Sequence, residues 1–307
     1  MHREAGIPFP DKLCAALGDL GRWFLPIWGL PSDCSPPSRR GQAMHSTQWQ
    51  QHDLLPGPAH RLVQSCAVAL HEQIYEVGPG TGSLTGPMLE TGARVVAVEI
   101  DGQRVRSLGE RFRDACARDQ LRVVNGDACT FTPPFTQPWR VIANPPFQHT
   151  ADLLRHWLLC PPAAGMPYAI DLLIQAQAAQ KLSAGSGAWT RSSVLLHLAG
   201  LPRQGMRLSR SVVQPPSRVD LAHWSWRCHH DPLDVPTLRA VDYILQQAFR
   251  GDHRVRQALR SVATPAILKR QGRDHGWDPD GPARAVPPQA WLELTRFLLH
   301  IKRIPSQ

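Results

Sequence analysis

Four short apolar runs in the first half of the chain each end in residues able to do chemistry, and their order admits few folds. Ile74–Thr85 reads IYEVGPGTGSLT, an apolar run entering a loop with Gly78, Gly80 and Gly82, after which a helix can begin near Ser83. Arg94–Asp101, RVVAVEID, is a second run ending in Glu99, and Leu121–Ala128, LRVVNGDA, is a third ending in Asp127. Val141–Phe147, VIANPPF, is a fourth, closing on Asn144-Pro145-Pro146-Phe147. Such runs, separated by helix-length stretches, predict parallel strands of an α/β sheet. Open sheets of this kind bind ligands beyond the carboxyl ends of their strands, so the four markers are expected in one crevice.

Each marker suits a particular task. Glycines allow a tight turn and close approach of backbone N–H groups to a ligand. A carboxylate ending the second strand, here Glu99, can accept from both hydroxyls of a ribose. Asp127 can accept from the adenine amine of a bound cofactor. Asn144 and the carbonyl of Pro145 offer two acceptors for the exocyclic amine of a target adenine, while Phe147 offers a face to an unstacked base. The glycine pattern alone would also suit a nicotinamide oxidoreductase, but that reading leaves the Asn-Pro-Pro-Phe turn unexplained.

With these residues in this order, the chain resembles the ribosomal RNA adenine N6-methyltransferases. This superfamily includes the Erm-type resistance enzymes and the KsgA-type dimethyladenosine transferases. The resemblance runs from about Gln50 to the C-terminus. It includes Gln51-His52-Asp53-Leu54, where the family carries a Gln-Asn-Phe-Leu-like element that closes over the cofactor. It also includes Val213–Leu221, VQPPSRVDL, with Arg227 beyond, where the family has a Pro-rich element ending in Val-Asp-Ser. Asp53 stands in place of an aromatic residue, Pro146 and Phe147 in place of the more usual Ile/Leu-Pro-Tyr ending, and Leu221 in place of Ser. The resemblance implies a Rossmann-like, class I methyltransferase sheet with a small C-terminal helical domain, and S-adenosyl-L-methionine as cofactor. His52, Leu54, Gly78, Gly80, Glu99, Asp127 and Asn144 would contact that cofactor. Asn144, Pro145 and Phe147 would act on the base.

Within the family, Ala188–Leu195, AWTRSSVL, resembles the actinobacterial resistance enzymes, which favours 23S rRNA as substrate. A small-subunit rRNA dimethyltransferase acting on an assembling particle is the alternative. An adenine-N6 DNA methyltransferase and a non-catalytic ribosome-assembly or transcription factor also stay open.

Charge is divided unevenly along the 307 residues. From Gln180 onward there are 19 Lys or Arg against 9 Asp or Glu, whereas the first 179 residues carry 15 against 16. A near-neutral cofactor domain joined to a cationic one suits an enzyme that grips phosphates with one part and reacts with another. Residues 44–230 are therefore expected to form the catalytic domain and 231–307 a helical RNA-binding domain. Helices over Thr237–Phe249, Arg254–Val262 and Gln289–Ile301, with Arg250, Arg254, Arg256, Arg260, Lys269, Arg270 and Arg273, form the expected phosphate-contacting module. Residues 1–43, rich in Pro, Trp and Arg, are expected to be disordered or upstream sequence preceding a true start at Met44.

Seven scattered cysteines without a Cys-x-x-Cys spacing suggest a reducing cytoplasm and no disulfide framework. Cys228-His229-His230 lacks a partner cluster, and no metal is expected. No run reaches membrane-spanning length. The expected form is a cytoplasmic monomer.

Overall fold

A computed structural model describes residues 52–305 apart from 184, 186 and 252; the expected extension and Met44 lie outside the described residues. Seven strands form one sheet. They are β2 (Gln73–Val77), β3 (Arg94–Glu99), β4 (Leu121–Asn125), β5 (Trp139–Ala143), β6 (Ala169–Gln175), β7 (Gly200–Leu208) and β9 (Leu221–Cys228), in the order β4-β3-β2-β5-β6-β9-β7. The first five are parallel, and β9 and β7 join antiparallel. Strand order reverses between β2 and β5, which opens a crevice at their carboxyl ends.

The alternation of the strands explains the layers. Tyr75, Val96, Val98, Trp139, Val141 and Ala143 enter one apolar cluster, whereas Ile74, Val95, Ala97, Ile142 and Leu173 enter the other. Successive strand residues face opposite ways, so every central strand must be apolar on both sides. Helices α1 (Pro56–Ser65), α2 (Thr85–Glu90), α3 (Gly102–Arg111) and α4 (Arg113–Ala117) fall among the connections up to β4. Helices α3 and α4 are separated at Phe112. Downstream come α5 (Thr150–Leu159), α6 (Ala176–Leu182) and α7 (Arg191–Ala199). Residues 192–199, readable as strand or helix, are helical because Thr190 and Ser193 form a reciprocal capping box.

On β9, Trp224 and Trp226 share a face as their spacing predicts, and both are fully buried. Their indole N–H groups donate to Ser183 Oγ and the Leu196 carbonyl. The chain continues into α8 (Val235–Ala248), α9 (Val255–Ala258), α10 (Pro265–His275) and α11 (Pro288–His300). Helix α10 lies between the second and third tail helices expected from sequence. The helix expected over 254–262 is a single short turn. All described residues belong to one compact unit. The cluster holding Trp139 and Trp226 also holds Leu238, Ile244, Trp291 and Leu298 of the tail. No described helix is long and apolar enough to cross a membrane.

Candidate active site

The crevice at the carboxyl ends of β2, β3 and β5 contains about 1090 Å³ of free space, its open mouth included. Its lining includes each residue expected to contact the cofactor or the base: His52, Leu54, Gly78, Gly80, Glu99, Asp127, Asn144, Pro145 and Phe147.

Its floor is the loop after β2. Gly78 and Gly80 have φ of 62° and 59°, a region costly to residues with a Cβ. At Gly80 space is limiting as well: a Cβ would lie 2.4 Å from Asp53 Oδ1. The Gly80 N–H points to the buried Glu99 carboxylate at 3.3 Å, and Glu99 also accepts from the Asp101 N–H at 3.1 Å. Glu99 is the last residue of β3. Asp127 lies two residues past the end of β4, where its carboxylate accepts from the Cys129 N–H at 2.8 Å.

Asn144 directly follows β5. Its side-chain NH₂ donates to the His52 carbonyl at 2.7 Å, so the amide is oriented by its donor and no described residue donates to Oδ1. His52 is itself fixed. Its Nδ1 lies 2.7 Å from the Pro215 carbonyl, and its ring stacks on Phe147 at 5.9 Å and 21°. Asp53–Leu54 forms β1, which pairs antiparallel with β8 (Val213–Gln214). The two flanking elements noted in the sequence, roughly 160 residues apart, are therefore one two-stranded clasp at the crevice edge. Asp53, which takes the aromatic position, accepts from the Thr81 N–H at 3.4 Å and lies 3.8 Å from Arg104.

Glu76 is a lining residue that the sequence reading passed over. It is buried beneath the glycine loop and accepts from Thr85 Oγ1 at 2.7 Å. Burial pushes its carboxyl up to about 8, nearby Glu99 adds to the rise, and the Thr85 hydroxyl opposes it. A carboxyl inside the apolar run IYEV was the available signal.

The amino-terminal side of the sheet holds another polar group. Cys66, Asp171 and His223 bring ligand-type atoms within 4.8 Å of one another. Arg140, Arg227 and His223 already bond the Asp171 carboxylate. Burial alone would raise this carboxyl, but His223, Arg227 and Arg140 together hold it down at about 2. Two guanidiniums beside the carboxylate oppose a metal cation, so the group acts as an internal ion network.

A parallel sheet with a strand-order switch, a glycine loop and a carboxylate-lined crevice is the construction of a Rossmann-like methyltransferase. Residues 59–297 match the family model described as ribosomal RNA adenine dimethylase, and the chain belongs to that family. Ribosomal RNA small subunit methyltransferase A of Novosphingobium aromaticivorans is 31% identical over 236 residues, covering 74% of this chain and 83% of that protein. The protein of the same name from Leifsonia xyli is 33% identical over 211 residues, covering 66% and 73%. Among solved structures, 23S rRNA methyltransferase ErmE matches with a TM-score of 0.60 and 22% identity over 80% of this chain and 99% of its own. A dimethyladenosine transferase from Plasmodium falciparum matches with a TM-score of 0.61 and 18% identity, covering 82% and 98%. At these identities the structural matches speak for the fold alone.

Proposed function

We propose that the protein is an S-adenosylmethionine-dependent adenine N6-methyltransferase acting on small-subunit ribosomal RNA during ribosome assembly. The observation that carries the activity is Asn144: its NH₂ is held by the His52 carbonyl, which leaves Oδ1 to accept from an adenine amine. The small-subunit choice follows from the curated relatives named above. The 23S preference read from residues 188–195 finds no such support, since the likeness to ErmE is one of fold.

The donor set fits the cofactor. Glu76 is a buried carboxyl with a single hydroxyl partner, suited to an ammonium group. Glu99 would take the ribose hydroxyls and Asp127 the adenine amine, with Gly78 and Gly80 admitting the amino-acid portion and His52 and Leu54 closing the edge. When bound, the cofactor supplies a sulfonium-activated methyl group, so the protein needs no nucleophile of its own.

The residues' task is then alignment and charge. Asn144 Oδ1 and the Pro145 carbonyl hold the target NH₂ in position and stabilise positive charge developing on its nitrogen. One face of Phe147 is covered by His52, and the base would lie on the other. The adenine must be unpaired or flipped to enter.

The test is methylation of purified small and large ribosomal subunits, with primer extension to map the site. A stop within small-subunit RNA is expected. A stop confined to large-subunit RNA would favour the resistance-type reading, and transfer to neither would overturn the proposal. Asn144→Ala should lower the transfer rate at saturating donor by a factor on the order of 10²–10³, well beyond any fall in donor affinity from the lost His52 contact.

A further inference from the structure

Three of the seven tail residues expected from sequence to hold phosphate are in ion pairs among the described residues. Arg256 pairs with Asp280, and Arg270 and Arg273 both pair with Asp274. No described tail residue lines the crevice. A different basic group sits beside the active site. Arg207 near the end of β7, Arg210 in the following turn and Arg218 after β8 border one surface depression with Gln175, Gln177 and Asp220. All three arginines are exposed, and among the described residues none is in an ion pair. Asp220 is the one acidic residue of that lining, so three guanidiniums face a single carboxylate.

Strand register fixes where this depression lies. Ala143 of β5 pairs with Leu172 of β6, Gln175 of β6 pairs with Leu221 of β9, and Leu221 pairs with Leu208 of β7. Arg207 and Asp220 therefore lie on the sheet end that carries Asn144. Gln175 is one strand over from Asn144, about 4.8 Å sideways, and about two residues further along. A register shift between Gln204 and Arg207 locally redirects β7 there. The loop that carries Arg210 and Arg218 also builds the clasp. The Arg210 carbonyl accepts from the Ser217 N–H, the Val212 carbonyl from the Leu55 N–H, and the Pro215 carbonyl bonds His52.

Mutually repelling, unpaired guanidiniums gain most from an anion with several acceptor oxygens, and the planar fork of arginine matches phosphate in two-point contact. A base entering the crevice brings its flanking backbone phosphates to this rim. We infer that Arg207, Arg210 and Arg218 form the track that holds the RNA strand next to the target adenine, and that this track outweighs the tail helices in phosphate contact. The inference rests on the RNA-methyltransferase reading above.

The test compares Arg207→Gln/Arg210→Gln/Arg218→Gln with a tail variant, Arg254→Gln/Arg260→Gln/Lys269→Gln, whose positions are likewise exposed. Binding of single-stranded ribosomal RNA is measured across salt concentrations, together with methylation kinetics and donor affinity. The rim variant should raise KM for RNA about tenfold or more, with kcat at saturating RNA and donor affinity near those of the unsubstituted chain. Its slope of log affinity against log salt should shrink by about 2, at roughly 0.7 per phosphate contact on a single strand. The all-lysine rim variant should restore most of the slope. Unchanged slope and KM in the rim variant, or a larger loss in the tail variant, would overturn the inference. A chain that binds RNA through the rim but transfers no methyl group to any ribosomal RNA would instead overturn the functional reading and support only RNA binding at the rim.

Discussion

At the scale of single residues, Glu76 carries the sharpest consequence. Its carboxyl is raised from about 4.5 to about 8, chiefly by burial. The folded protein thus holds a proton that the unfolded chain releases. This contribution to stability is fully present below pH 4.5 and is lost as pH rises through about 8. In ligand-free protein, Glu76→Gln should flatten that decline, as read from urea midpoints taken between pH 5 and 8.5. The same variant should bind S-adenosylmethionine roughly ten- to a hundredfold more weakly, the loss of one charge-assisted hydrogen bond. Unchanged affinity in a calorimetric titration would remove Glu76 from the cofactor site. Glu99 and Asn144 were legible because each terminates a strand, where ligands gather. Glu76 lies inside one, and a strand-interior acid is easily read as an interruption of the apolar run.

At the scale of elements, the glycine loop and the β1–β8 clasp depend on each other. Gly80→Ala would place a residue with a side chain at φ 59° and drive its Cβ toward Asp53, disturbing both the loop and the first strand of the clasp. The conformational part costs about 1–2 kcal/mol. Donor affinity should fall about tenfold or more, as a displaced clasp loosens His52; measurement by equilibrium dialysis with unchanged affinity would refute the coupling. The central strands and their catalytic ends followed from the sequence because parallel, doubly covered strands need continuous apolar runs. Strand β7 did not, since Gly200, Pro202 and Gly205 lower its strand propensity and an edge position tolerates them. Helix α10 was hidden likewise: it buries little beyond Leu268, Gln271 and Gly272, so its apolar stripe is narrow. Only its cap, Thr264 followed by Pro265, signals a start.

At the scale of the whole molecule, Asp242 of α8 joins the tail to the body. It accepts two bonds from Arg191 of α7, both at 2.6 Å, and one from Arg155 of α5 at 3.1 Å. Asp242→Ala leaves Arg191 without its carboxylate and Arg155 with only the longer pair to Asp152, and should cost roughly 2–3 kcal/mol, somewhat less than a fully buried pair. If the tail and the sheet share one core energetically, near- and far-ultraviolet probes of that variant should unfold in a single transition at lower urea. Two separate transitions would show instead that the tail folds on its own.

By itself the sequence determined the parallel sheet, the crevice and the family, because those rest on local patterns: apolar runs of strand length, glycines at a turn, and reactive residues at run ends. Tertiary structure alone decided which long-range partners those residues meet. It joined His52 to Asn144 and Asp53–Leu54 to Val213–Gln214, and set Arg207, Arg210 and Arg218 beside one another. It also paired three arginines of the tail with two aspartates. The physical reason is that a hydrogen bond or ion pair between distant residues depends on register and crossover geometry, which no local run of residues encodes.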